Sequence, residues 1–337
     1  MEKLNIEIPK FGELKQLEQD LYWTQFELPF KLNHVNLFFL DTTDGWLIID
    51  SGLRSDHSHE MWNKLLNGPL NQKKICGLII THYHPDHMGM AGWIQKQFNV
   101  PAYTTEKEFF TANKLLSMGE EEYAKLFNHV FQRAGMPLDQ KNEMLKATRL
   151  YKNRVHELPK FEIIKEGHVF ESKNGSWIAR TDAGHSPEHI SLLDENRKLY
   201  LAGDFLLPRI SPNISDNFFN PTDDRLGGYL TYLNDIKSIG SDTLVFPCHD
   251  WPFKKGKERA EDLIKHHENR LNILKKEMDT KSINIMNSVD LIFDRKIGNE
   301  QMHFAIGEAR AHLIHLDSIG FSKSETDKNE VIWYSKN

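Results

Sequence analysis

His82-Tyr83-His84-Pro85-Asp86-His87 sets three imidazoles and one carboxylate within six residues. Imidazole nitrogen and carboxylate oxygen are the donors that zinc, iron and manganese accept. His82 and His84 stand two apart, so an extended loop points both rings at one ion. Asp86 and His87 follow Pro85, which bends the chain, so they can face a second ion. Two divalent ions about 3.5–4 Å apart clamp and activate a hydroxide between them, a recurrent arrangement in hydrolases.

Three later segments carry the same donors behind apolar runs. These are Thr181-Asp182-Ala183-Gly184-His185-Ser186, Gly203-Asp204 and Pro247-Cys248-His249-Asp250. Each alone is weak, because a strand-end histidine generally satisfies local hydrogen bonds. Together they complete a set of five histidines and two aspartates: His82, His84, His87, His185, His249, Asp86 and Asp204. That is enough for two nearly complete shells, with the Asp204 carboxylate placed to bridge them. A histidine-rich surface loop in a chain of 17 histidines is the bland reading. The joint occurrence at successive strand ends argues against it.

The elements that must position these groups can be read from pattern. Ile75 to Ile80 is a short apolar run bounded by polar residues, a buried strand that delivers the histidine loop at its end. Open α/β sheets place ligand sites at such ends. Residues 21–50 read as antiparallel strands, with Asp41-Thr42-Thr43-Asp44 as a connection. Asp50-Ser51-Gly52 reads equally as a capped turn or as support beneath the metals. His57-Ser58-His59 reads as solvated loop. A helix from Gly89 to Phe98 followed by a strand at Val100–Tyr103 predicts a parallel crossover.

Residues 105–155 break that rhythm with helices over Glu106–Met118, Glu120–Ala134 and Leu138–Val155, an insertion expected to cap the site. Strand signals resume at Val169–Phe170, Ser176–Thr181, Ile190–Leu193, Lys198–Ala202 and Thr243–Phe246. From Lys255 the pattern changes to a helix over Gly256–Met278, polar segments, a helix over Asn299–Ile319 and a strand at Val331–Tyr334. The expected division is a catalytic domain over 1–254 and a small winged-helix-like domain over 255–337.

At 337 residues, 39% hydrophobic and 27% charged, the chain has the composition of a soluble globular protein. A formal charge of −6 gives no global basic footprint and counts against nucleic acid as the partner. No run approaches the roughly 20 apolar residues of a membrane span. Met1 to Ile8 lacks the apolar core of a signal peptide, so a cytoplasmic location and no membrane partner are expected. Cys76 and Cys248, the two cysteines, read as small packing residues rather than a disulfide.

Residues 20–250 resemble the metallo-β-lactamase fold hydrolases, whose His-x-His-x-Asp-His signature is His82 to His87 and whose later elements match His185, Asp204 and His249. The resemblance implies an α+β fold, a four-layer αββα sandwich with the metals at one edge of its two sheets. It also implies His82, His84 and His185 on a first metal and Asp86, His87 and His249 on a second, with Asp204 between them. The motif is glyoxalase-II-like. Flavodiiron oxygen reductases are similar but carry a carboxylate where His84 stands. Persulfide dioxygenases share part of the motif, though the complete second ligand set favours hydrolysis. His266-His267-Glu268-Asn269-Arg270 and Ala311 to Gly320 look like the winged-helix domain of the β-lactamase-like endoribonuclease branch, and their histidines are expected to pack or face solvent.

The expected function is a dinuclear metal-dependent hydrolase. It carries two divalent ions, zinc first with iron or manganese as alternatives. Asp86 steers the bridging hydroxide or relays its proton, and Asp204 bridges. A thioester is favoured, with ester or lactone close behind, as acyl-CoA or acyl-glutathione compounds. Arg209, Phe218, Phe219 and Tyr229 are candidate contacts to such a small acyl substrate. The alternative enzyme is a metal-dependent endoribonuclease using the basic run Lys254-Lys255-Gly256-Lys257. The alternative of another class is a non-catalytic winged-helix binding or regulatory protein. A homodimer formed through the C-terminal module is open.

Overall fold

The computed structural model describes residues 1–30, 32–147, 150–215, 219–220 and 222–337, without the side chains at 146, 147 and 300. β1 (Glu2–Lys3) is followed by β2 (Lys15–Gln16), β3 (Leu21–Glu27), β4 (His34–Asp41) and β5 (Trp46–Ile49). α1 (Asp56–Leu66) leads to β6 (Ile75–Ile79). α2 (Pro85–Met88) and α3 (Ala91–Phe98) then lead to β7 (Ala102–Thr104). The helices α4 (Glu106–Ser117), α5 (Glu120–Ala134) and α6 (Leu138–Ala147) precede β8 (Phe161–Ile163). β2 to β8 form one seven-stranded sheet in sequence order, antiparallel to β5 and parallel from β5 to β8.

The second half supplies β9 (Val169–Glu171), β10 (Ser176–Asp182), β11 (His189–Asp194) and β12 (Leu199–Gly203). α7 (Arg225–Ile236), β13 (Leu244–Pro247) and β14 (Phe253–Lys254) follow. A second seven-stranded sheet runs β1-β14-β13-β12-β11-β10-β9, with β12 and β13 parallel.

Alternation along the strands sorts the apolar side chains into layers. On β4, Phe38 meets Phe246 of the opposite sheet at 6.3 Å between ring centroids, while Phe39 meets Trp62 of α1 at 5.9 Å. A strand covered on both faces needs a continuous apolar run, which is why Leu37 to Leu40 is apolar and buried throughout. On β12, Leu199 and Leu201 face the first sheet, whereas Tyr200 and Ala202 face a separate core with α7. The result is helix, sheet, sheet, helix. The fold is the α+β sandwich that the motif implied.

The C-terminal residues form α8 (Gly256–Met278), β15 (Ile283–Asn284), α9 (Ile285–Ile292), α10 (Asn299–Ser318), β16 (Ser322–Thr326) and β17 (Ile332–Lys336). The strands pair in the order β15-β17-β16. This module has no core to itself. Leu263, Leu271, Leu274, Ala309 and Leu313 pack in one cluster with Tyr229 and Leu233 of α7 and with Phe127 and Phe131 of α5. Among the described residues, no helix is long and apolar enough to cross a membrane.

Several local expectations need correction. His57-Ser58-His59 lies on α1, not in a loop, because the Ser55 side chain caps the helix by accepting from the Ser58 N–H at 3.0 Å. The helix expected to run to Val155 is described as far as Ala147 and does not include Leu150, which is extended ahead of a short 3₁₀ turn over Tyr151–Asn153. β8, α7, α9, β15 and β16 have no counterpart in the sequence reading.

Candidate metal centre

The loop after β6 is stapled to the end of β5. Asp50 closes β5 with φ 64°, and its carboxylate accepts from the Thr81 N–H at 2.8 Å and from the Thr81 hydroxyl. The Ser51 N–H and hydroxyl both donate to the His87 carbonyl. Pro85 sits in the first turn of α2, where a missing N–H costs nothing, and turns Asp86 and His87 inward. Of the two readings of Asp50, the support role is the one the contacts favour.

The seven candidate ligands converge. His82 Nε2 and His84 Nδ1 lie 2.8 Å apart, and with His185 they offer atoms within 4.8 Å of one another. Asp86, His87 and His249 form another such group. Asp204 Oδ2 stands between the groups, 3.3 Å from His185 Nε2, 3.3 Å from His249 Nε2 and 3.6 Å from His87 Nε2. His82, His87, His249 and Asp204 are buried, and His84, Asp86 and His185 are half-buried.

The outward nitrogens are fixed by acceptors. His87 Nδ1 donates to Asp50 Oδ2 at 2.8 Å, His185 Nδ1 to the Asn213 carbonyl at 2.8 Å and His249 Nδ1 to the His34 carbonyl at 2.7 Å. His82 Nδ1 is 3.0 Å from the Thr81 hydroxyl. Such contacts set the tautomer and aim the other nitrogen inward. The inward His87 Nε2, His185 Nε2 and Asp204 Oδ1 are buried with no hydrogen-bond partner. Buried polar atoms are rarely left so, because an unmade hydrogen bond costs about 1–3 kcal/mol. Five imidazoles and two carboxylates converging on one another, with three of their inward atoms unpartnered, fit a divalent-metal centre.

Protonation in the metal-free chain follows from the same crowding. Burial, reinforced by neighbouring histidines, holds His82 and His84 well below the usual imidazole range. Burial opposes the charge on His87 too, but Asp204, Asp50 and Asp86 outweigh it and hold the ring well above that range. His249 is raised against burial by Asp204 and Asp86. Against its own burial, Asp204 is held well below the usual carboxylate range by His249 and His87. Cations entering here displace protons.

Other supports carry weak sequence signals. The Glu108 carboxylate, fully buried in the first turn of α4, accepts from the Tyr83 N–H at 2.9 Å, the Ser186 hydroxyl at 2.6 Å and the Glu188 N–H at 2.7 Å. It thereby ties the histidine loop to the His185 turn. His189 Nε2 accepts from the Asp204 N–H at 3.2 Å, and its ring lies where a Cβ at Gly203 would stand. Cys248 is free and buried beside Asp50, and burial pushes its thiol well up.

The expected substrate contacts divide. Arg209 is exposed but pairs with Asp250 at 2.7 Å, next to His249. Phe219 is half-buried under the Lys114 ammonium, 4.3 Å from the ring centroid. Tyr229 is fully buried, donates to the Phe205 carbonyl at 2.9 Å and backs Gly184, so it supports the His185 turn. Phe218 lies outside the described residues. The basic run at 254–257 lies past the opposite end of β13 from His249, where the Lys255 N–H donates to the Ser241 carbonyl.

Comparison with known proteins agrees with this geometry. The family described as Metallo-beta-lactamase superfamily matches residues 31–249, and that described as Metallo-beta-lactamase-like, C-terminal domain, matches residues 271–337. The Probable metallo-hydrolase YqjP of Bacillus subtilis (strain 168) is 22% identical over 304 residues, 89% of this chain and 93% of that protein. A Beta-lactamase domain protein from Burkholderia ambifaria superposes with a TM-score of 0.89 at 29% identity, covering 100% of this chain and 97% of that one. A metallo-beta-lactamase family protein from Thermus thermophilus superposes with a TM-score of 0.79 at 23% identity, covering 96% of this chain and 100% of that one.

Proposed function

The chain belongs to the metallo-β-lactamase superfamily, and within that family of metal-dependent hydrolases we propose that it cleaves thioesters, with esters and lactones as neighbouring substrates. His82, His84 and His185 would hold one divalent ion and Asp86, His87 and His249 a second, with Asp204 placed to serve both. Zinc suits this nitrogen-rich donor set best. When bound, such a pair of ions brings the pKa of water near neutrality and polarises the electrophile.

The protein's own groups do the rest. Asp86 is the more open of the two acidic ligands, with 20% side-chain exposure against 8% for Asp204, so it orients the attacking water and takes its proton. Asp50 and the His34 and Asn213 carbonyls keep the rings aimed. No serine or cysteine nucleophile is called on: the sequence has no Gly-x-Ser-x-Gly elbow, and burial keeps Cys76 and Cys248 as thiols.

One observation carries the choice of substrate. Phe110 of α4 and Phe304 of α10 are 56% and 50% exposed. Lys114 lies over the rings of both Phe110 and Phe219, and the Phe304 carbonyl accepts from Asn213. Exposed aromatic rings on the two helices that contact Phe219 and Asn213 suit an acyl chain. A phosphodiester backbone calls for a row of cations along its path instead, whereas here the Lys114 ammonium lies over aromatic rings and Arg209 pairs with Asp250.

Release of free thiol from a panel of acyl-CoA and acyl-glutathione thioesters, by protein loaded with zinc, manganese or iron, tests the reading. Turnover that a chelator abolishes supports it. No release with any metal, beside hydrolysis of RNA, would overturn it, and hydrolysis of lactones alone would overturn the choice of thioesters.

A further inference from the structure

We propose that the C-terminal module positions the candidate ligand His185, with Glu308 of α10 acting through Asn213. The inference rests on the reading of His185 as a metal ligand. His185 lies in the sandwich and Glu308 in the C-terminal module, more than a hundred residues later in the chain, yet one residue joins them. The Asn213 carbonyl accepts from His185 Nδ1 at 2.8 Å, and the Asn213 side-chain amide donates to Glu308 Oε2 at 3.1 Å and to the Phe304 carbonyl at 3.2 Å. Asn213 is therefore clamped on one side by α10 and aims the ring on the other.

The seat for this clamp is built. Gly307 has no Cβ, and one placed there would stand 2.5 Å from the Ser215 hydroxyl oxygen, so the 213–215 segment lies directly on the α10 backbone. Ser215 donates in turn to the Asn213 side-chain oxygen. Glu308 is buried and held from behind by Arg270 of α8. Elsewhere α8 and α10 grip the same connection between β12 and α7. Arg259 donates to the Leu207 and Ile210 carbonyls, and His315 and Ser318 bond Asp224.

A cation site is the other reading of this cluster, because Glu308 shares a 4.8 Å group with His266 and His267. The guanidinium of Arg270 already neutralises the carboxylate and would repel a second cation. Glu308 acts here as a hydrogen-bond station.

The link has a thermodynamic consequence. A side chain that orients a metal-bound imidazole contributes to metal affinity, and its removal typically costs about ten- to a hundredfold. Glu308 acts one bond further out, so the loss expected is roughly tenfold. The test is a cobalt(II) titration of the metal-free full chain, read by visible absorption, on the parent and on Glu308→Ala, Asn213→Ala and the double variant. Both single variants are expected to bind cobalt roughly tenfold more weakly and with an altered spectrum. The double variant is expected to be no worse than the poorer single, because the two residues form one relay.

Ile332→Ala, in the three-stranded sheet and away from Asn213, is the control. It is expected to lower the melting temperature and leave the cobalt spectrum unchanged. Parent-like cobalt binding in both single variants overturns the inference alone, as does an equal loss in Ile332→Ala. A parent chain that binds no cobalt overturns the metal-centre reading, and the inference falls with it.

Discussion

Two groups of histidines stand apart in the fold, one at the ends of the sheet strands and one on α8 and α10. At the sheet edge, His87 faces Asp204, Asp50 and Asp86, and His249 faces Asp204 and Asp86. Between the helices, His267 Nδ1 is 3.2 Å from His312 Nε2, His312 donates to the Glu308 carbonyl, and the Glu308 carboxylate is taken up by Arg270. Carboxylates raise the first pair, whereas burial, with Arg270 adding to it, lowers His266 to about 4 and His312 to about 3. Burial is common to both groups. The carboxylates decide which one can exchange protons for cations.

The comparison breaks most directly at Asp204. Asp204→Asn keeps the size and removes the charge shared by both metal groups, so kcat/KM is expected to fall more than about a hundredfold, beyond what an outer-shell change costs. Far-ultraviolet circular dichroism should be unchanged. Full activity in this variant would remove Asp204 from the site.

Asp50→Asn probes the support rather than the ligand. Asparagine tolerates the φ of 64°, so the backbone survives while His87 loses its charged partner. Metal affinity, read by chelator competition, is expected to weaken about tenfold. An unchanged affinity would mean that packing alone aims the ring.

Acid should expose the helical group. An unfolded histidine titrates near about 6.5, while folded His266 and His303 are lowered to about 4 and His312 to about 3. The unfolded state thus binds more protons between those values. Stability is full above about pH 6.5 and is lost as pH falls toward 4. The melting temperature at pH 5 should lie on the order of 5 °C below that at pH 7. Hydrogen exchange should show α8 and α10 opening before β4. Protection lost first in the sheets would contradict the assignment.

The smallest effect is expected at Tyr229. Tyr229→Phe removes one buried hydrogen bond to the Phe205 carbonyl and should cost about 1 kcal/mol of stability with KM unchanged. A several-fold rise in KM would make Tyr229 a substrate contact after all.

The same contrast explains what the sequence made legible. The seven donors were visible because each follows an apolar run that reads as a strand, and strand ends converge in this architecture. Asp50 was ambiguous because an aspartate at a strand end serves equally as a cap. Glu108 looked like any acidic residue in a helix's first turn, and its three partners lie in segments distant in sequence. Asn213 and Glu308 have no local pattern either.

Helix α7 was hidden by Gly227-Gly228, which reads as a loop. In the folded chain Gly228 lets α7 approach the Ala183 carbonyl, where a Cβ would stand 2.9 Å away. β16 was hidden because it is an edge strand, exposed from Lys323 to Thr326, and so has no apolar alternation.

Zinc titration of the metal-free chain by calorimetry tests the contrast at its centre, run on the parent, on Asp204→Asn and on the double variant His266→Ala, His267→Ala. Two zinc ions per chain are expected in the parent and in the histidine double variant, and fewer or weaker sites in Asp204→Asn. Sites lost from the histidine double variant and kept in Asp204→Asn would place the metal between α8 and α10 and contradict the account.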